Sequence, residues 1–104
     1  MAWIMLVVAG LLEIGFTTSL RYTENFTKFW PTVAFLVLSA TSFVLLTRAA
    51  QTIPLGTSYA VWTGIGAAGT VIVGIFAFGE PATALRLLFL ITLIGSIIGL
   101  KLVS

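Results

Sequence analysis

Four apolar blocks take up most of this 104-residue chain, at residues 2–20, 29–47, 57–78 and 84–102. Each is about 20 residues long, the length a helix needs to cross the ~30 Å hydrocarbon of a bilayer. A backbone in lipid must satisfy its own hydrogen bonds, and continuous apolar runs of this length predict helices rather than barrel strands. Only 8% of the residues are charged, whereas a soluble domain has about 25%, so the chain lacks the means to coat itself for water. The expectation is an all-α membrane protein, a single domain over residues 1–104 with four transmembrane helices and nothing built outside the membrane. Soluble partners and nucleic acid are not expected, and a net charge of +2 gives no reason to restore them.

One residue breaks the apolar pattern. Glu13 lies near the middle of the first block, while every other charge falls at or near a block edge. A carboxylate at mid-bilayer costs several kcal/mol even on lenient scales, so such residues face a protein interior or a wet cavity and mark binding or transport sites. No Lys or Arg lies mid-block to pair with it. Helical spacing puts Leu6, Ala9, Gly10, Glu13, Phe16, Thr17 and Leu20 on one stripe. Ala9 and Gly10 leave room one turn before the carboxylate, Thr17 offers a hydroxyl one turn after, and Phe16 offers a ring face that should border a ligand. Gly10 has a second reading, since small residues also let helices pack closely in lipid.

The other blocks add fewer candidates. Ser39 and Ser42 share a face of the second block, and a buried carboxylate in need of an orienting donor favours Ser42. A lone hydroxyl in lipid more often bonds back to its own helix. In the third block Gly56, Ala60, Gly64 and Ala68 recur every fourth residue, a ridge suited to close packing. Tyr59 and Trp62 lie on a neighbouring stripe. Tyr59 is close enough to the block's end to be an interface anchor, whereas Trp62 lies deeper and suits binding a cation or orienting a carboxylate. The glycines from Gly64 to Gly69 invite a local bend. In the fourth block Gly95 and Gly99 form a GxxxG pair, a candidate dimer face.

The chain has no cysteine, which excludes disulfides and thiolate metal sites. It also has no histidine, which excludes imidazole ligands and histidine catalysis. No cofactor, metal or enzyme activity is expected. The first block lacks a basic n-region, so it reads as a retained span and not as a signal peptide. Four spans are too few to shield Glu13 from lipid on every side, which predicts an oligomer. Arg48 and Lys101 fall on the side of the termini, and Arg21, Lys28 and Arg86 on the other. So even a split hardly fixes orientation by the positive-inside rule, and the chain should insert both ways round.

Several runs resemble the small multidrug resistance family of proton-coupled exporters. They are Leu12-Glu13-Ile14 with Thr17-Thr18, Phe29-Trp30-Pro31, Ser42-Phe43-Val44-Leu45-Leu46, and the run from Ile53 through Tyr59 and Trp62 to Gly66. Met1-Ala2-Trp3, Trp62-Thr63-Gly64-Ile65-Gly66-Ala67, Gly79-Glu80-Pro81 and Ile98-Gly99-Leu100-Lys101 look most like the family's guanidinium-exporting subgroup. The resemblance implies a multi-pass protein of the cell's inner membrane. It also implies an antiparallel dimer in which two Glu13 side chains share one site with Ser42, Tyr59 and Trp62 around it. Where that subgroup usually has a Trp three residues after the Glu, this chain has Phe16.

The mechanism this implies is exchange of protons for a small organic cation. Desolvation disfavours an ionised carboxyl, so a proton and a cation compete for the same buried acid. Guanidinium is planar and able to make bidentate bonds to a carboxylate, whereas a quaternary ammonium ion relies on charge and aromatic faces. Three readings follow: an exporter of guanidinium-like cations, an exporter of bulkier quaternary ammonium or aromatic cations, and one subunit of a paralogous heterodimer that does not transport alone.

Overall fold

In a computed structural model describing residues 1–103, the chain forms four helices: α1 (Ala2–Tyr22), α2 (Phe29–Ala49), α3 (Leu55–Ala77) and α4 (Ala84–Val103). All four are long and apolar enough to cross a membrane, and the described residues contain no strand. The observed helices overrun the apolar blocks slightly. Arg21 and Tyr22 continue α1, and α3 begins directly after Pro54.

The connectors explain where each helix stops. Thr23 closes α1 by donating both its backbone N–H and its hydroxyl to the Leu20 carbonyl, at 3.2 and 2.9 Å. Glu24, Asn25 and Phe26 then all take the left-handed conformation, with φ of 47, 61 and 66°. That conformation is uncommon in residues other than Gly, and for a bulky one like Phe26 it is strained. It turns the chain so that the N–H groups of Thr27 and Lys28 both reach the Thr23 carbonyl, and the Phe26 ring settles against Phe35 at 5.6 Å. Pro31 lies in the first turn of α2, where a missing N–H costs nothing. Gly79, at φ 66°, makes the turn after α3. Thr83 caps α4 by accepting the Arg86 backbone N–H at 3.2 Å.

Helix α1 is central and packs against α2 and α3, while α4 leans on α3. Lys101 at the far end of α4 reaches back over the Trp3 ring, 5.2 Å from its centroid. The buried core gathers at one end of the bundle, where Leu6 and Ala9 of α1 meet Ala49 at the end of α2, Ile53 after it, and Val61 and Trp62 of α3. Despite its glycines, α3 runs unbroken from Leu55 to Ala77. They act as seats for side chains of the neighbouring helices. A Cβ at Gly64 would meet Ile97 of α4 at 2.7 Å, and one at Gly69 would overlap Ile14 of α1. Close backbone approach of this kind drives helix association in lipid, where apolar burial gives little. The ridge predicted through Gly56 is used only in part: Gly64 and Ala68 are buried, whereas Gly56 and Ala60 are exposed.

Candidate binding cleft

Glu13 leaves α1 towards α3 at the level of Gly66. A Cβ at position 66 would overlap the Glu13 carboxyl group, so the absent side chain is what admits the acid between the two helices. Three residues earlier on α1, Gly10 receives Ile65, whose Cβ lies 2.7 Å from where a Gly10 Cβ would be. Of the two readings of Gly10, the structure supports close packing.

From Glu13 a cleft of about 440 Å³ runs between α1 and α3 towards the end of the bundle opposite the core. Glu13, Thr17, Thr18 and Arg21 line it from α1, and Thr63, Gly66, Ala67, Thr70, Val71, Gly74 and Phe78 line it from α3 or its C-cap. Glu80 closes the far end. Its backbone N–H donates to the Gly74 carbonyl at 3.0 Å, and its carboxylate fills the space that a side chain at Gly74 would take. Arg86 pairs with it at 3.4 Å. On the other side of this mouth the Arg21 guanidinium lies over the Phe78 ring, 4.2 Å from its centroid. Both mouth charges therefore have partners, as does Glu24, which pairs with Lys28 at 3.8 Å.

Glu13 has none. Its Oε1 is buried without a hydrogen-bond partner, and so are the hydroxyl oxygens of Thr18 and Thr70 in the same cleft. Leaving a buried polar group unpaired costs about 1–3 kcal/mol, more if it is charged. A cluster of such groups in a cleft is the condition in which a polar or cationic ligand gains most on entering.

Ser42 and Trp62 lie elsewhere, towards the core. The Trp62 indole N–H donates to Ser42 Oγ at 2.9 Å, and Ser42 Oγ donates to the Ala9 carbonyl at 2.7 Å. This chain ties α3 to α2 and α2 to α1, and within the protomer the indole N–H is directed to Ser42 and not to Glu13. Rings surround it: Phe43 and Tyr59 lie 5.5 and 6.0 Å from Trp62. Phe16 sits between Phe35 and Phe43, at 5.7 and 6.1 Å, on the α2 side of α1 and outside the cleft lining. Tyr59 is 59% exposed, and a Cβ added at Gly95 or Gly99 would meet nothing within 4 Å.

Of the residues picked out in the sequence, the cleft thus unites Glu13 and Thr17. Ala9, Ser42 and Trp62 form a separate buried chain, with Tyr59 and Phe16 in the aromatic group beside it. Sequence reasoning did not single out Thr18, Thr70, Arg21 or Glu80 as site residues. Thr70 had a signal, since it follows Gly66 by one helical turn. Thr18 lies off the Glu13 stripe.

Four helices long and apolar enough to cross a membrane, with an unpaired mid-span carboxylate beside a cleft, define a multi-pass membrane protein. Residues 1–94 match the Small Multidrug Resistance protein family, and the chain belongs to it. Proteins named guanidinium exporter from Yersinia pseudotuberculosis and Proteus vulgaris are 50% and 49% identical to it; the Yersinia protein aligns over the full length of both chains, as does the Proteus protein. A guanidinium exporter from Citrobacter freundii is 47% identical, over 98% of this chain and 97% of its own.

Proposed function

We propose that this protein exports guanidinium or substituted guanidinium ions from the cell in exchange for protons, with Glu13 as the group both ligands occupy in turn. The observation that carries the reading is the Glu13 carboxylate, seated against Gly66 at mid-span with its Oε1 buried and unpaired and an open cleft beside it. The names of the relatives support the substrate class. A guanidinium ion would replace the missing hydrogen bonds with a charge-assisted fork. A proton would neutralise the same acid, so occupancy by one ligand excludes the other and exchange is coupled. A cleft of about 440 Å³ leaves space beyond a bare guanidinium, so substituted forms fit as well.

The working unit is proposed to be an antiparallel dimer in the inner membrane, with one Glu13 from each protomer. Several features of the single chain support a partner. The protomer is a slab only 17 Å deep along its shortest axis. No residue of α4 is buried. Tyr59 and Thr63 present polar atoms on an exposed face of α3 within the hydrocarbon span. A second copy over α4 would use the open Gly95 and Gly99 positions for close approach. It would also bring a second Tyr59, Trp62 and Ser42 set towards the cation.

The test is flux through liposomes containing this chain alone. An outward guanidinium gradient should drive protons inward, and an imposed pH gradient should drive guanidinium uphill. Guanidinium movement that ignores the pH gradient, or no movement at all, would refute the proposal, the latter outcome pointing to an obligate partner subunit.

A further inference from the structure

A cation rich in N–H groups raises a question of acceptors once it is out of water. Guanidinium carries N–H donors on every nitrogen, and a carboxylate fork satisfies only a pair of them. The remaining desolvated donors need oxygen acceptors close to Glu13. Charge at the mouth of the cleft does not supply them: Glu80 is engaged by Arg86 and Gly74, and Arg21 rests on Phe78.

Thr18 and Thr70 are placed differently. Thr32, Thr41, Thr47 and Thr92 each spend the hydroxyl donor on their own helix, at 2.6–2.8 Å. Thr18 and Thr70 line the cleft, and their Oγ1 atoms are buried with no such return bond and no other partner. Thr18 follows Glu13 by five residues, about 7.5 Å along the helix, and Thr70 follows Gly66 by four, about 6 Å. Successive spans run in opposite directions, yet α1 and α3 run the same way, so both hydroxyls lie on the same side of the Glu13–Gly66 contact, towards Arg21 and Phe78. Threonine keeps two side-chain rotamers in a helix, so either hydroxyl has room to turn its lone pairs to a ligand.

We propose that Thr18 and Thr70 form a hydroxyl station beside Glu13 that accepts the outer N–H groups of the cation and so sets a preference for unsubstituted guanidinium over heavily alkylated forms. This rests on the reading of Glu13 as the cation site. Thr18→Val and Thr70→Val delete the hydroxyl at nearly constant volume, and Thr18→Ser and Thr70→Ser keep it. In proteoliposomes under a fixed pH gradient, each valine variant should raise the half-saturation concentration for guanidinium about fivefold, the size of one net hydrogen bond. Competition by tetramethylguanidinium, which has few N–H groups left, should stay at the parent's level, and the serine variants should behave as the parent. A valine variant that fails to insert is replaced by alanine and read by the same ratio. Unchanged guanidinium half-saturation would overturn the station. So would equal losses for both cations, or a lower maximal rate at unchanged half-saturation, which would make the hydroxyls packing elements or part of a proton route. A parent protein that moves no guanidinium would instead overturn the underlying function, and the station with it.

Discussion

At one end of this bundle Trp62 donates to Ser42 and Ser42 donates to the Ala9 carbonyl, amid Leu6, Ala49, Ile53 and Val61. At the other end Glu13 Oε1, Thr18 Oγ1 and Thr70 Oγ1 are also buried, in a cleft and with no partners. The same helices, α1 and α3, build both regions. Polar atoms of the first end are consumed in joining three helices, and those of the second are left available. Stability and ligand chemistry are therefore divided along the length of the protomer, with Glu13 and Gly66 at the division. An unpaired set of polar atoms is tolerable at one end because packing at the other, glycine against side chain, holds α1 and α3 together.

Substitutions that move polar atoms between these two conditions break the comparison. The largest effect is expected from Gly66→Ala, which places a methyl group where the Glu13 carboxyl rests. Alanine favours helix, so the fold should persist while coupled exchange falls roughly tenfold or more, as misplaced reacting groups do. Flux measured beside a size-exclusion profile separates the two outcomes, and a broad, unfolded profile would count against it. Next comes Ser42→Ala, which leaves the Trp62 N–H without an acceptor in the well-satisfied end. It should cost about 1–3 kcal/mol, seen as a lower unfolding temperature in detergent. Thr41→Val, at an exposed hydroxyl bonded only to its own helix, should stay within about 0.5 kcal/mol. Equal losses for the two would mean that the Trp62–Ser42–Ala9 chain has no special weight.

A milder perturbation tests the proposed pairing of oppositely inserted copies. Leu102→Lys with Val103→Lys adds charge on the side of Arg48 and Lys101, at positions 78% and 83% exposed. Accessibility labelling should find both orientations in the parent and mainly one in the variant, with less flux from the variant when expressed alone. A single orientation in the parent would argue against an antiparallel pair.

Much of this architecture was legible in the residues because block length alone sets membrane-spanning helices. The limits of α1 and α3 were less so, since Arg21 and Tyr22 are polar enough to end an apolar block yet continue the helix to the interface. Glu13 and Thr17 were legible as one stripe. Phe16 belongs to the same stripe, but α1 touches two neighbours, and the stripe is wide enough for Glu13 to face α3 while Phe16 faces Phe35 and Phe43 of α2. Periodicity within one helix does not report that split. Nor does it report where an indole N–H goes, since the Trp62 acceptor comes from α2. Thr18 and Thr70 escaped notice because a threonine in lipid ordinarily bonds back to its own helix, and only the packed structure reveals that these two are buried without doing so.

The central claim is that a proton and an organic cation share the Glu13 carboxylate, and Glu13→Gln tests it most directly. Glutamine keeps the shape beside Gly66 but neither binds a proton reversibly at neutral pH nor offers a charge to a cation. In liposomes containing the variant, with insertion and oligomeric state matching the parent's, the account requires that a guanidinium gradient move no protons and that a pH gradient move no guanidinium. Near-parental coupled exchange by Glu13→Gln would contradict it.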